Sequence, residues 1–276
     1  MRRMSLCVLL AFLTVGGGTA VAQPPEGAIP ARILRWYDGD TAQIRLTGEV
    51  PSWIGPQEVV RVLGINTPEV GEPYAEEATR FFRTLTMGKP VYVELNPFER
   101  RDRHSRLLAH LWVETEEGWT LVSEAILRAG LAHLLVYYPE QEKYYCRLLR
   151  ARALAQVDKL GLWGTFPEAL PLADLESDPV PYVAEVVTVV FTVARVGRDR
   201  WGLSLWAVGS RYGFRAIIDE GTCPAAWEEV DLETTYLVGQ TVAVSGEVLW
   251  DSYGGGPRIV VGFPDQMQVR GEGCGP

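Results

Sequence analysis

Asp38-Gly39 separates two runs, Ile33 to Trp36 and Thr41 to Leu46, whose composition suits half-buried strands. An Asp-Gly pair readily takes the backbone of a tight two-residue turn, so the runs should fold back on each other as an antiparallel hairpin. Further strands are expected at Val59 to Ile65, Val91 to Leu95 and Leu107 to Val113. Tyr74, Ala78, Phe81, Phe82 and Leu85 form a helical stripe, with Pro73 at its start and Gly88 after it. Two more helices are expected at Leu121 to Ala129, stopped by Gly130, and at Gln141 to Leu160, stopped by Gly161. Strands first, with helices gathered at one end, predict a mainly β fold with helices (α+β): a five-stranded barrel of the OB type carrying three helices.

The 276-residue chain has room for a second unit. Pro167, Pro171, Pro179 and Pro181 lie among Ala, Asp, Glu and Ser, a linker composition, so residues 166–182 are expected to join a first domain, 23–165, to a second, 183–276. The second reads as strands at Val183 to Val196, Trp201 to Val208 and Gly213 to Asp219, a helix at Cys223 to Leu237, then strands at Thr241 to Leu249 and Arg258 to Val269. That order is the OB order, and the segment resembles bacterial OB-fold modules. Residues 1–22 begin with Arg2 and Arg3, continue with an apolar run from Ser5 to Val15 and end at Ala20-Val21-Ala22. This is the pattern of a secretory signal peptide; the apolar run is short for a membrane anchor. A secreted or periplasmic protein, free of the membrane after cleavage, is expected.

Charge and cysteine usage narrow the function. The net charge is -9, which argues against a polybasic nucleic-acid coat. Residues 23–165 carry 17 basic and 19 acidic side chains, whereas 166–276 carry 7 and 16, so most arginines lie in the first half. Phosphate recognition must therefore be local. Cys223 and Cys274 share the C-terminal segment and are candidates for a disulfide; Cys146, beside Leu148 and Leu149, reads as a buried thiol. No Cys pair has zinc-site spacing, and His104, His110 and His133 are scattered.

Four pieces of the first domain carry possible chemistry: Asp38-Gly39-Asp40-Thr41, the run from Arg61 to Glu69, the run from Asp102 to Ala109, and Leu131-Ala132 with Tyr137-Tyr138 beyond. In this order and spacing, with Gly161-Leu162-Trp163 closing the segment, they resemble the staphylococcal nuclease (thermonuclease) family. The chemistry can also be argued from the residue types. Phosphodiester cleavage gathers negative charge on the phosphate oxygens, which fixed guanidinium groups such as Arg61 and Arg106 can stabilise. Glu69 can orient a water and take its proton. A hard cation held by oxygen ligands can bridge such parts.

The resemblance implies a calcium-dependent, sugar-nonspecific endonuclease acting on DNA and RNA and leaving 3'-phosphate ends. It implies metal ligands at Asp40, Asn66 and the Thr67 carbonyl, a general base at Glu69, a phosphate clamp at Arg61 and Arg106, and substrate contacts at Arg103, His104, Tyr137 and Tyr138. Two departures matter. Asn66 stands where the family usually supplies a second carboxylate, removing one ligand charge. His104-Ser105 replaces the usual Tyr-Gly, altering the pocket for the terminal phosphate. Plainer readings compete: Asp38-Gly39-Asp40 as a bare turn, Arg61 in an ion pair with Glu58 or Glu69, Glu69 capping its loop, and Asn66 stabilising a turn. For the second domain, Arg195, Arg198, Arg200, Trp201 and Trp206 could bind single-stranded nucleic acid, though its acidity opposes this; the domain could instead contact protein. The alternative to the enzyme is a noncatalytic nucleic-acid-binding protein whose metal site Asn66 has disabled, or a protein-docking module.

Overall fold

A computed structural model describes residues 23–116, 118–164, 169–199, 202–230, 234–251 and 256–270. The expected signal peptide, Arg200, Trp201 and Cys274 lie outside the described residues.

The first barrel begins with the Asp-Gly hairpin, β1 (Ile29–Trp36) and β2 (Thr41–Leu46), and continues through β3 (Gln57–Val62) and a short β4 (Gly64–Asn66). After α1 (Ala75–Thr86) come β5 (Val91–Leu95), β6 (Leu107–Thr115) and β7 (Gly118–Leu121), then α2 (Val122–Arg128), β8 (His133–Leu135) and α3 (Tyr145–Val157). Sheet order β3-β2-β1-β5-β6-β7, with a further parallel pairing of β3 and β6, closes the five-stranded barrel. Inward-facing Ala42, Ile44, Val60, Val62, Leu107, Ala109 and Leu111 fill it, and Phe82, Ile126 and Leu148 bring the three helices onto the same core.

The single strand expected at Val59 to Ile65 is broken after Val62. Gly64 takes a positive φ of 82° under Leu148, where a Cβ would collide, and β4 leaves the barrel to pair with β8.

The second barrel uses β10 (Val186–Asp199), β11 (Gly202–Ala207), β12 (Arg215–Ile218), β13 (Thr241–Asp251) and β14 (Gly256–Val261), closed by pairing β10 with β13. β9 (Leu170–Pro171) and β15 (Met267–Arg270) extend it at the edges. Three expectations are corrected here. The proline-rich stretch is not wholly linker: β9 pairs with β10, and the following α4 (Leu172–Ser177) inserts Leu172 and Leu175 into the second core, so its apolar residues override its linker composition. The helix expected at Cys223 to Leu237 is replaced by 3-10 turns at Pro224–Ala226 and Thr234–Leu237, where Pro224 fixes the first turn and Trp227 anchors it in the core. The strand expected at Arg258 to Val269 stops at Val261, interrupted by a 3-10 turn beginning at Pro264.

The cysteine expectation also changes. Cys146 is joined to Cys223, with 5.8 Å between their Cα atoms. Helical spacing explains this: Leu148 turns inward over Gly64, while Cys146, Leu149, Arg150 and Ala153 face the second barrel. There Arg150 lies 3.2 Å from Asp265, and Ala153 packs with Cys223 and Phe263. No helix among the described residues is long and apolar enough to cross a membrane.

A buried polar network ties the start of α3 to the barrel. His110 Nε2 lies 3.0 Å from Glu142, whose carboxylate also accepts the Tyr144 N–H; Glu94 accepts from Tyr144, Trp112 and Lys143. Burial pushes the Glu142 carboxyl up, but the His110 contact and the Tyr144 N–H together bring it below its ordinary 4.5. A depressed folded pKa means stabilisation that is full above the ordinary value and lost as pH falls through the folded one. Glu142→Gln should therefore cost about 1–3 kcal/mol at neutral pH. Its deficit in thermal melts should shrink below pH 4.5 as the wild type loses the same contribution; a pH-independent deficit would contradict this account.

Candidate active site

The site is built where the hairpin turn meets β3 and the loop after it. Asp38 accepts the Asp40 N–H at 2.9 Å, fixing the turn, and the Asp40 carbonyl accepts the Val62 N–H at 2.8 Å. Gly39 is required by packing, since a Cβ there would lie 2.7 Å from both Ala78 of α1 and Thr67. The turn is thus pressed onto α1, and Asp40 is 95% buried, at 5% exposure.

Asp40 is the centre of the cluster. Its Oδ1 lies 3.2 Å from Arg61 Nε and accepts from the Thr41 hydroxyl at 3.0 Å. Its Oδ2 accepts the Thr67 N–H at 3.0 Å and the Thr67 hydroxyl at 3.2 Å. Burial raises the pKa of this carboxyl above the ordinary 3.8, and the Arg61 charge and Thr67 N–H oppose that rise. Register puts Thr41 opposite Arg61, so both side chains leave the same face of the sheet.

The two arginines differ in how much of their donor capacity is spent. Arg61 holds Nε in an ion pair with Asp40 and gives Nη1 to the Val62 and Ile65 carbonyls at 2.8 Å each and Nη2 to Asn66 Oδ1 at 3.0 Å. Only one of its five N–H groups is uncommitted among the described residues. Arg106 is held by Asp102 through Nε at 2.7 Å and gives Nη1 to the Thr41 hydroxyl at 3.0 Å. That leaves three N–H groups uncommitted among the described residues, on a side chain whose direction is fixed at two points. Asp102 also accepts the Arg106 and His104 N–H groups, shaping the intervening turn around Ser105, which has φ 62°.

Asp40, Arg61, Asn66, Thr67 and Arg106 are therefore brought together. Arg61 pairs with neither Glu58 nor Glu69; Glu58 is held by Arg101. Glu69 lies two residues past Thr67 with its side chain exposed and its N–H given to Glu72, and no hydrogen bond or ion pair among the described residues joins its side chain to the cluster. Arg103 donates to His104 on the exposed turn at 3.0 Å, and Tyr137 and Tyr138 are 80% and 63% exposed beyond β8. Sequence reasoning missed Thr41, which links Asp40 to Arg106, and Asp102, which aims Arg106. The i,i+4 spacing of Asp102 and Arg106 was the available signal for the second.

The donors that could hold a cation are all oxygens: the Asp40 carboxylate, the Asn66 amide and the Thr67 carbonyl. They suit a hard ion such as calcium, with a single anionic charge. Among the described residues no group of three or more His, Cys, Asp and Glu side chains gathers to hold a metal. Any ion here would depend on the amide and main-chain oxygens.

A family model described as "Staphylococcal nuclease homologue" matches residues 59–165. The thermonuclease of Staphylococcus hyicus is 30% identical over 138 residues, 48% of this chain and 74% of that protein. The chain belongs to the staphylococcal nuclease family. Endonuclease YncB of Bacillus subtilis (strain 168) is 28% identical over 152 residues, 53% of this chain and 67% of that protein. The SPbeta prophage-derived endonuclease YokF of the same organism is 30% identical over 135 residues, 47% of this chain; the match spans only 42% of YokF. Within this staphylococcal nuclease homologue, the model's match opens in β3 and takes in Arg61, Asn66, Thr67, Glu69 and Arg106; Asp40 lies before it.

Removing the Asp40 carboxylate would strand a buried guanidinium and the Thr67 N–H. Asp40→Ala should cost about 3–5 kcal/mol in urea unfolding, the scale of breaking a buried pair. A loss below about 1 kcal/mol, the scale of an exposed pair, would mean that Asp40 is not the hub of this cluster.

Proposed function

We propose that this chain is an exported, calcium-dependent, sugar-nonspecific endonuclease that hydrolyses phosphodiester bonds of DNA and RNA and leaves 3'-phosphate products. One observation carries the reading: Arg61 of β3 and Arg106, on the turn leading into β6, converge on adjacent Asp40 and Thr41 at 3.2 and 3.0 Å. Two fixed guanidinium groups at one point are what a phosphate needs when charge grows on its oxygens. Export is supported by the N-terminal sequence pattern and by the Cys146–Cys223 disulfide, which belongs in an oxidising compartment.

In this reading Arg106 supplies most of the donors to the phosphate, and Asp102 and Thr41 aim it. Arg61 chiefly holds the loop carrying Asn66 and Thr67 in place and offers its remaining N–H to the same group. Glu69, exposed to solvent, orients a water and accepts its proton. Asp40, Asn66 and the Thr67 carbonyl would hold calcium, which when bound supplies charge neutralisation at the phosphate. Tyr137 and Tyr138 offer faces for stacking bases, and Arg103 and His104 flank the Arg106 turn, where a terminal phosphate would lie.

A second reading, nucleic-acid binding without cleavage, is favoured by one specific observation. Both Asp40 oxygens and Asn66 Oδ1 are already engaged by protein donors. Cleavage of plasmid and single-stranded substrates in calcium, magnesium or EDTA separates the two: calcium-dependent cleavage supports the enzyme, and gel-shift binding without cleavage supports the second. Arg106→Ala should lower turnover about 100-fold or more, the scale of losing one oxyanion donor, with thermal stability little changed. Near-wild-type turnover would remove Arg106 from the clamp. Asn66→Asp should restore a ligand charge and lower the calcium concentration needed for half-activation; an unchanged titration would place the ion elsewhere.

A further inference from the structure

The face of the sheet that carries Thr41 and Arg61 continues away from the site, and its residues can be followed by register. Side chains at alternate positions share a face, so Thr41, Gln43 and Arg45 of β2 lie along one line. Gln43 is opposite Arg35 of β1 and Val59 of β3; Arg45 is opposite Arg32 and Gln57. Leu34 is the extra residue of a bulge between Ile33 and Arg35, and this bulge turns Arg35 outward. Tyr37 gives its N–H to the Thr41 carbonyl at the site end, and its ring, 42% exposed, lies 4.8 Å beneath the Arg35 guanidinium.

Arg32, Arg35 and Arg45 are all exposed, and none forms an ion pair among the described residues. Arg32 and Arg45 stand directly opposite each other, an arrangement that costs stability because like charges meet across the strands. No carboxylate occupies the intervening positions on this face, whose other members are Gln43, Gln57 and Val59. The chain as a whole is acidic, at -9, so this positive strip is a local departure from its field. It runs from the Arg61–Arg106 clamp to Arg45 over four residues of β2, or about 13 Å at strand rise.

We propose that this outer face of β1–β2–β3 is a rail for the phosphodiester backbone of a polynucleotide strand flanking the bond at the clamp. Arg35, Arg45 and Arg32 take successive flanking phosphates, and Tyr37 with Arg35 offers a flat surface to a base. The inference rests on the nuclease reading for its link to turnover, but the binding it describes can be measured without cleavage. The rail makes the protein favour polymers over short fragments and makes that preference sensitive to salt.

The test uses the full chain carrying Arg32→Gln, Arg35→Gln and Arg45→Gln together, beside a companion with lysine at the same three positions, after thermal melts establish that both fold. Fluorescence anisotropy with a single-stranded 20-mer is read across a salt series in EDTA. The slope of log K against log salt should fall by about 2 in the glutamine variant, three phosphates at roughly 0.7 each. Affinity at low salt should drop at least 10-fold, and the lysine variant should keep most of both. In calcium, KM for the 20-mer should rise by a similar factor with kcat within twofold, while a dinucleotide substrate is cleaved as by the wild type. Unchanged slope and affinity in the glutamine variant would overturn the rail, as would a lysine variant as weak as the glutamine one. A wild type that binds with the expected slope but cuts neither substrate would sink the nuclease reading and leave the rail standing.

Discussion

The Asp40 carboxylate, buried and 3.2 Å from the Arg61 guanidinium, is the constraint on which the site depends. A buried charge is tolerated only when paired and fully hydrogen-bonded, and Asp40 meets both conditions by recruiting three separate pieces of chain. The turn, β3 and the loop to Thr67 are thereby fixed to one another. The same saturation limits what the site can hold. A cation entering here competes with Arg61 for Asp40 and for the Asn66 amide oxygen, and a second carboxylate that would tilt that competition toward the ion is absent. Metal occupancy and the freedom of Arg61 are thus linked: an ion that draws Asp40 or Asn66 away releases guanidinium donors toward whatever anion is present.

Helix α3 performs a comparable joining role at a larger scale. Its inner face places Leu148 in the first barrel's core, and its outer face presents Cys146, Arg150 and Ala153 to the second barrel. A helix buried on both sides has no single apolar stripe, and its 13 residues accordingly mix Leu and Ala with Arg, Cys and Gln. The covalent link across this face closes a sequence separation of 77 residues, which restricts the unfolded chain as well as fixing the folded one.

The fold was legible where local signals were sufficient. The Asp38-Gly39 turn, the α1 stripe and the glycine stops gave the hairpin and all three helices of the first barrel to within a few residues, because each depends on its own neighbours. What failed depended on distant partners. The break at Gly64 needs Leu148 above it, the folding of Leu172 and Leu175 needs the second core, and the pairing of Cys146 with Cys223 needs α3 to carry both barrels. The same division applies at the site. Arg61 and Arg106 could be named from phosphate chemistry, and Asp40, Asn66 and Thr67 through the family resemblance, but the partition of donors between the two arginines could not, since it depends on which carbonyls the β3–β4 break turns toward Arg61.

An acidic protein that acts on polyanions must confine its attraction to short range. At physiological ionic strength charges are screened over about 8 Å, so carboxylates farther away than that weigh little on a strand already lying against β1–β2–β3. They weigh more on one approaching from solution at low salt. The bulge at Leu34 is what makes the local attraction possible: were Leu34 paired regularly instead of bulged, Arg35 would share the parity of Ile33 and point into the core, and the positive line would be interrupted between the clamp and Arg45. The bulging of Leu34 out of regular pairing therefore decides whether the clamp stands alone or at the end of a continuous cationic surface.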